Sequence, residues 1–315
     1  MSNKVLNNLL GGIQLGILSE VADLKAVPTS GAFNIRVDGQ SAARNTTQNI
    51  NIITKADKSG IDVYIKPNTK GESVHIPVVL SESGIKETVY NDFYIGDNAD
   101  VEIVAGCGIH NCGGQDSEHD GVHRFFIGKD AHIKYVEKHY GEGDGIGKRI
   151  LNPETEVYME ENASCEMEMV QIKGVDSTNR KTIAKLKAGA KLIVRERLMT
   201  HGQQVAISTY ETELSGDGAS ADVISRSVAR EESYQKFLST LKGNCACTGH
   251  TECDAIIMDK ARVVAIPELE ANSVDAALIH EAAIGKIAGE QIVKLMTLGL
   301  NEKEAEEQII NGFLK

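Results

Sequence analysis

The chain has 315 residues, with 33 Lys and Arg against 45 Asp and Glu and a formal net charge of −12. Phosphate backbones are held mainly by clustered cations, so this balance argues against a nucleic-acid partner. Charge breaks the apolar stretches every few positions, and no membrane-spanning helix is expected. Trp is absent, aromatics make up 4% and Gly numbers 30. A core of Val, Ile, Leu and Ala with frequent glycine corners suits repetitive strand architectures.

Residues 1–32 form an N-terminal segment in which "NKVLNNLLGGIQLGI" reads as a short helix or irregular chain. The six cysteines are too sparse for a disulfide scaffold, and no basic and apolar leader precedes that stretch. Reduced thiols and a cytoplasmic location are therefore expected.

From 33 to 275 the chain repeats short segments of alternating apolar and polar residues: "VEIVAG" at 101, "HIKYVEKHY" at 132, "EVYMEENASCEMEMVQIKG" at 156, "KLIVRERLM" at 191 and "DVISRSVAR" at 222. Period-two alternation is the strand signal. A turn unit recurs between them, a Gly, Asn or Asp near Ala99, Ala131, Ala163, Ala190 and Ala219, at spacings of 32, 32, 27 and 29 residues. A loose repeat near thirty residues, with strands on every turn, points to a β-solenoid, and the pattern alone leaves a sandwich or jelly roll open.

Residues 276–315 are expected to form a C-terminal helical segment. "HEAAIGKIAGEQIVKLMTLG" places Ile284, Ile287, Ile292, Leu295 and Met296 on one stripe, with Gly299 as a stop. Asn301 and Glu304 make a capping box for a second helix, "EKEAEEQIINGF".

Three groups of residues could carry chemistry. "GNCACTGHTECDAI" gathers Cys245, Cys247, His250 and Cys253, soft ligands for zinc, copper(I) or iron–sulfur clusters. Their C-x-C-x5-C spacing lacks a second C-x2-C pair, and alternation along a strand need not bring all four together. "GCGIHNCGGQDSEHDGVHRF" holds Cys107, His110, Cys112, His119 and His123 in a glycine-rich run that reads equally as a solvated loop or a metal-binding one. His280 and Glu281 stand at the expected start of the C-terminal helix, where a carboxylate is favoured by the helix dipole whether or not the pair ligates a metal. No phosphate-binding loop, dinucleotide fingerprint or nucleophile elbow occurs, so any ATP dependence must come from another chain.

The stretch from "GHTECDAIIMDKARVVAIPELE" through "HEAAIGKIAGEQ" to the terminal "GF", together with "EHDGVHRFFIGKDAHIKYVEKHYGEG" and "NPETEVYMEENASCEMEMVQIKG", resembles the SufB/SufD family of iron–sulfur cluster assembly proteins. The resemblance implies a right-handed parallel β-helix with short helical segments at both ends. It implies pairing through the β-helix, as a homodimer or a SufB–SufD heterodimer. It also implies a SufC-like ABC ATPase docked on the C-terminal helices. By this resemblance the chain is a scaffold rather than an enzyme, and the cargo is a transient [2Fe–2S] or [4Fe–4S] cluster.

Residue by residue the SufB branch fits. Cys253–Asp254 matches the motif of the cluster-building cysteine, and His280–Glu281 matches the H-E dipeptide that accompanies it. The resemblance then makes Cys253 thiolate ligand and sulfide carrier, Glu281 an oxygen ligand to iron, and His280 a nitrogen ligand or proton handler. Cys107, His110 and Cys112 are a secondary metal or sulfur site to which the resemblance assigns no role. A SufD-like structural partner and a zinc-binding β-solenoid enzyme are the rival readings.

Overall fold

The computed structural model describes residues 10–315. One helix, α1 (Gly12–Ala22), precedes the strands β1 (Ala32–Val37), β2 (Gln40–Asn45), β3 (Ile50–Thr54), β4 (Gly60–Ile65), β5 (Lys70–Leu80), β6 (Lys86–Ile95), β7 (Asp100–His110), β8 (Ser117–Ile127), β9 (His132–Glu142) and β10 (Arg149–Leu151). They continue as β11 (Glu154–Met159), β12 (Ser164–Lys173), β13 (Ser177–Leu186), β14 (Lys191–Thr200), β15 (Val205–Leu214), β16 (Ser220–Ala229), β17 (Tyr234–Gly243), β18 (Cys247–Ile257), β19 (Arg262–Ala271) and β20 (Ala276–Gly285). Two helices, α2 (Gly289–Thr297) and α3 (Glu302–Phe313), close the chain.

The strands wind into a β-solenoid of about eight turns with two long sheets as its walls. One sheet runs β2-β1-β5-β7-β9-β12-β14-β16-β18-β20, the other β19-β17-β15-β13-β10-β8-β6-β4-β3, with β11 also bridging β8 and β13. All pairings along the walls are parallel. The antiparallel pairs β1–β2 and β3–β4 end the two sheets at the N-terminal side. At the other end β19 and β20 are the edge strands of their sheets.

The alanine spacing is the register of the wall. Asp100 pairs with His132, His132 with Ser164, Ser164 with Lys191 and Lys191 with Ser220, so Ala99, Ala131, Ala163, Ala190 and Ala219 stack one above the other, all buried. The residue before each alanine is left-handed: Asn98, Asp130 and Asn162 at φ 57°, 54° and 58°, then Gly189 and Gly218. Asn, Asp and Gly accept that conformation at least cost. Each alanine N–H then donates to the carbonyl three residues back, as from Ala163 to Glu160 at 3.2 Å. The corner needs a side chain no larger than a methyl, because the next turn sits directly upon it.

Helix α1 lies on the outer face of the first sheet over β5, β7 and β9, burying Ile17, Leu18, Val21 and Ala22 against Val79 and Val104. Gly106 and Gly108 allow this close approach. A Cβ on Gly106 would stand 2.1 Å from the Val21 carbonyl oxygen, and one on Gly108 2.1 Å from Ile17 Cγ2. The glycines around Cys107 therefore belong to a helix-on-strand contact. Most of the run read as a solvated or metal-binding loop is strand β7 and strand β8.

The C-terminal segment also starts later than its apolar stripe implies. His280 and Glu281 lie within β20, not at a helix start, and Ile284 and Ile287 precede α2. Alanine carries no period, so "HEAAI" fits either repeat, and pairing with β18 decides for strand. Gly299 (φ 101°) follows α2, and the Asn301–Glu304 capping box opens α3. Among the described residues, no helix is long and apolar enough to cross a membrane.

Candidate functional site

Strand β18 alternates strictly. Cys247, Gly249, Thr251, Cys253 and Ala255 face the interior, whereas Thr248, His250, Glu252 and Asp254 face outward. In the parallel register with β20, Thr251 pairs with His280, Glu252 with Glu281 and Cys253 with Ala282. Paired residues share a face, so Cys253 and His280 project inward and Glu281 outward. The thiol and the carboxylate of the H-E motif are separated by the sheet itself.

Cys253 is 1% exposed and one strand from the C-terminal edge. Burial, then the nearby Glu196 and Asp254 carboxylates, push its thiol up to about 12, so it is protonated at neutral pH. His280 has a buried Nδ1 with no hydrogen-bond partner. An unpaired buried ring nitrogen is costly and is the kind of group a ligand satisfies.

The other members of the cysteine-rich stretch do not join Cys253. Cys245 precedes β18 with its thiol 3.4 Å from the Leu214 carbonyl, and burial followed by the neighbouring Cys247 raises it to about 11. Cys247 lies six residues up the strand, roughly 20 Å away. His250 faces out.

Behind Cys253 the interior is polar, which sequence reasoning missed. Ser225, the register partner of Cys253, donates to Glu196 Oε2 at 2.7 Å. Ser208 and Tyr210 donate to Glu196 Oε1 at 2.6 and 3.0 Å. Arg180, 4% exposed, stands 3.8 Å from Glu196 and bonds Glu137, which also has His139 Nε2 at 3.5 Å. Burial would raise the Glu137 carboxyl, but Arg180 and His139 hold it well below the usual carboxylate range.

The run ends at Cys107, which faces His139 across the β7–β9 register and also interacts with His119. Burial raises its thiol, but His119 and then His139 outweigh this and leave it at about 7. His119, against burial, is lifted to about 10 by Cys107 and Glu87, whose Oε1 lies 3.1 Å from its Nδ1. The available signal was Glu137, Arg180 and Glu196 at inward positions of alternating strands.

Cys107, His110 and Cys112 do not form one site. Cys107 is buried in the interior, whereas Cys112 is exposed, with its sulfur 3.0 Å from His110 Nε2. The other His110 nitrogen, Nδ1, is 3.0 Å from Glu142 Oε1.

The family model described as "SUF system FeS cluster assembly, SufBD core domain" matches residues 90–313, more than half of the chain. The chain belongs to the SufBD family. Membership implies involvement in iron–sulfur cluster assembly. A SufBD family iron–sulfur cluster assembly protein of Methanothermobacter thermautotrophicus (strain Winter) is 27% identical over 242 residues, 75% of this chain and 57% of the relative. One from Archaeoglobus fulgidus is 27% identical over 264 residues, covering 82% and 70%. One from Pyrococcus horikoshii is 24% identical over 289 residues, covering 86% and 82%. The chain thus spans little more than half of the Methanothermobacter SufBD protein and most of the Pyrococcus one.

Proposed function

We propose that this SufBD protein is a scaffold on which an iron–sulfur cluster is built at the C-terminal end of the solenoid, in the cytoplasm, with ATP hydrolysed by a SufC-like ABC ATPase. The observation that carries the reading is that an interior thiol, Cys253, shares the inward face with His280 on the adjacent edge strand, whose register partner Thr251 lies two residues before Cys253 and whose Nδ1 is orphaned. Thiolate and imidazole are suitable donors to iron. Iron and sulfide are the substrates here, and the protein's part is to supply donors, exclude water and release the product. Glu281, on the outer face, serves iron from the other side of the sheet.

A buried thiol held at about 12 does not ligate until its proton leaves. An incoming ferrous cation, or an opening of the last turn, would relieve the burial and carboxylate field that keep it protonated. The unpaired edges of β19 and β20, with Ile266, Leu269, Ile279 and Ile284 exposed along them, favour a second solenoid as the partner that covers this end. Helix α2 carries the exposed apolar residues Val293 and Met296, with Leu298 beyond its end, and buries none of its own. Helix α3 instead buries Ala305 and Ile310 and ties back through Glu306 to Arg230 at 3.8 Å. An ATPase docked on α2 would pull on β20 through only three connecting residues, 286–288. ATP-driven closure of two ATPase subunits would then open the solenoid interface.

The test is a Cys253→Ser protein. It should fold, dimerise and bind the ATPase yet retain no cluster; retention of cluster by that variant would sink the assignment. A SufD-like structural role predicts no cluster on the wild-type chain alone.

A further inference from the structure

The outer wall behind Cys253 carries a second constellation. Four outward residues of three adjacent strands meet there: Asp222 on β16, His250 and Glu252 on β18, and Glu281 on β20. His250 Nδ1 is 2.7 Å from Asp222 Oδ1, and its Nε2 is 3.8 Å from Glu281 Oε2. One ligand atom from each of His250, Glu252 and Glu281 lies within 4.8 Å of the other two.

With Asp222 accepting from Nδ1–H, the free electron pair of the ring is on Nε2, facing the two carboxylates. A metal-binding histidine is ordinarily oriented in this way, its far nitrogen held by a carboxylate. Glu252 and Glu281 are direct cross-strand partners, an arrangement that costs free energy between like charges unless a cation intervenes. Arg226 reaches only Glu252, at 3.8 Å, and His250 is the one ion-pair partner of Glu281 among the described residues. The Glu281 side chain is 68% exposed and free to close on an ion.

We infer that His250, Glu252 and Glu281 form a binding site for a first-row divalent cation, with Asp222 as the residue that positions His250. One nitrogen and two oxygens, with no sulfur, suit Fe(II), Mn(II) or Zn(II) and do not require sulfide. The identification of the natural cation as ferrous iron rests on the scaffold reading; the site itself does not. Glu252 and Cys253 are consecutive residues projecting to opposite faces, so the ion would wait one sheet thickness from the thiol. Opening of β20 would withdraw Glu281 and free the edge of β18, past which the ion would reach the inner face.

The experiment titrates metal-free, sulfide-free full-length protein with Mn(II) under anaerobic conditions, reading free Mn(II) by its electron paramagnetic resonance signal, and repeats the titration with Fe(II). Wild type should bind one ion per chain. His250→Ala and the double variant Glu252→Gln/Glu281→Gln should lose it, and Asp222→Asn should weaken it by roughly 10- to 100-fold. Cys253→Ala should bind Mn(II) as wild type does. Circular dichroism on each variant reports that the solenoid remains folded. Absence of stoichiometric Mn(II) binding to wild type, unchanged binding by the His250 and double-glutamate variants, or loss of Mn(II) binding in Cys253→Ala would each overturn the site. Failure to load a cluster with Mn(II) binding intact would instead count against the scaffold reading alone.

Discussion

Ser225 stands between Glu196 and Cys253: its hydroxyl donates to Glu196 Oε2 at 2.7 Å, and its position on β16 faces Cys253 across the β16–β18 register. A buried carboxylate is thereby held near a buried thiol, and its charge adds to burial in keeping that thiol protonated. Glu196→Gln keeps the hydrogen-bonding shape and removes the charge. The pH–rate profile for iodoacetamide labelling of Cys253, read by peptide mass spectrometry, should shift to lower pH in that variant. An unshifted profile would mean that burial and Asp254 set the thiol without Glu196.

Arg180 separates two interior carboxylates. Replacing it with Met leaves Glu137 and Glu196 facing each other without a cation, and removing one partner of a buried pair costs about 3–5 kcal/mol. Urea unfolding of Arg180→Met should show a loss of that size. The combined variant Glu137→Gln/Arg180→Met/Glu196→Gln should recover part of it.

His123 sets an acid limit. Its Nε2 accepts from Asn91 at 3.2 Å and its Nδ1 donates to the Tyr135 hydroxyl at 2.8 Å, so the ring is neutral, and burial lowers its pKa to about 4 from 6.5. The unfolded chain therefore binds more protons between those values, and stability present above 6.5 is lost as pH falls through 4. The full difference is roughly 3 kcal/mol. His123→Leu should flatten the stability–pH slope over that window by about one proton relative to wild type.

Cys107 should be largely thiolate at pH 8. Absorbance near 240 nm should titrate with a midpoint close to 7 and vanish in Cys107→Ser. In His119→Phe, the opposing burial effect prevails and the midpoint should rise.

Gly106→Ala tests the seat of α1. The added methyl meets the Val21 carbonyl, and overpacking of this kind costs about 1–3 kcal/mol. Hydrogen exchange in α1 should accelerate while the walls of the solenoid stay protected.

The solenoid was legible because its corners repeat: the spacing of Ala99 through Ala219 is the strand register itself. The Asn301–Glu304 cap was legible for a similar reason, being a local pattern with a local cause. The face on which Glu281 emerges was not, since the alanines beside it fit a helix or a strand and only pairing with β18 chooses. Nor could the glycines beside Cys107 disclose that a helix rests on them, a contact made by residues some ninety positions away. The interior polar run joins residues from nine strands, from Glu87 on β6 to Cys253 on β18, and no spacing within one strand reports it.

Cluster loading bears most directly on the central claim. Wild type, Cys253→Ala and Cys107→Ala would be reconstituted anaerobically with iron and sulfide, and iron, acid-labile sulfide and the visible spectrum measured for each. Cluster on wild type and on Cys107→Ala, with none on Cys253→Ala, is the predicted result. Equal loading of wild type and Cys253→Ala would contradict it.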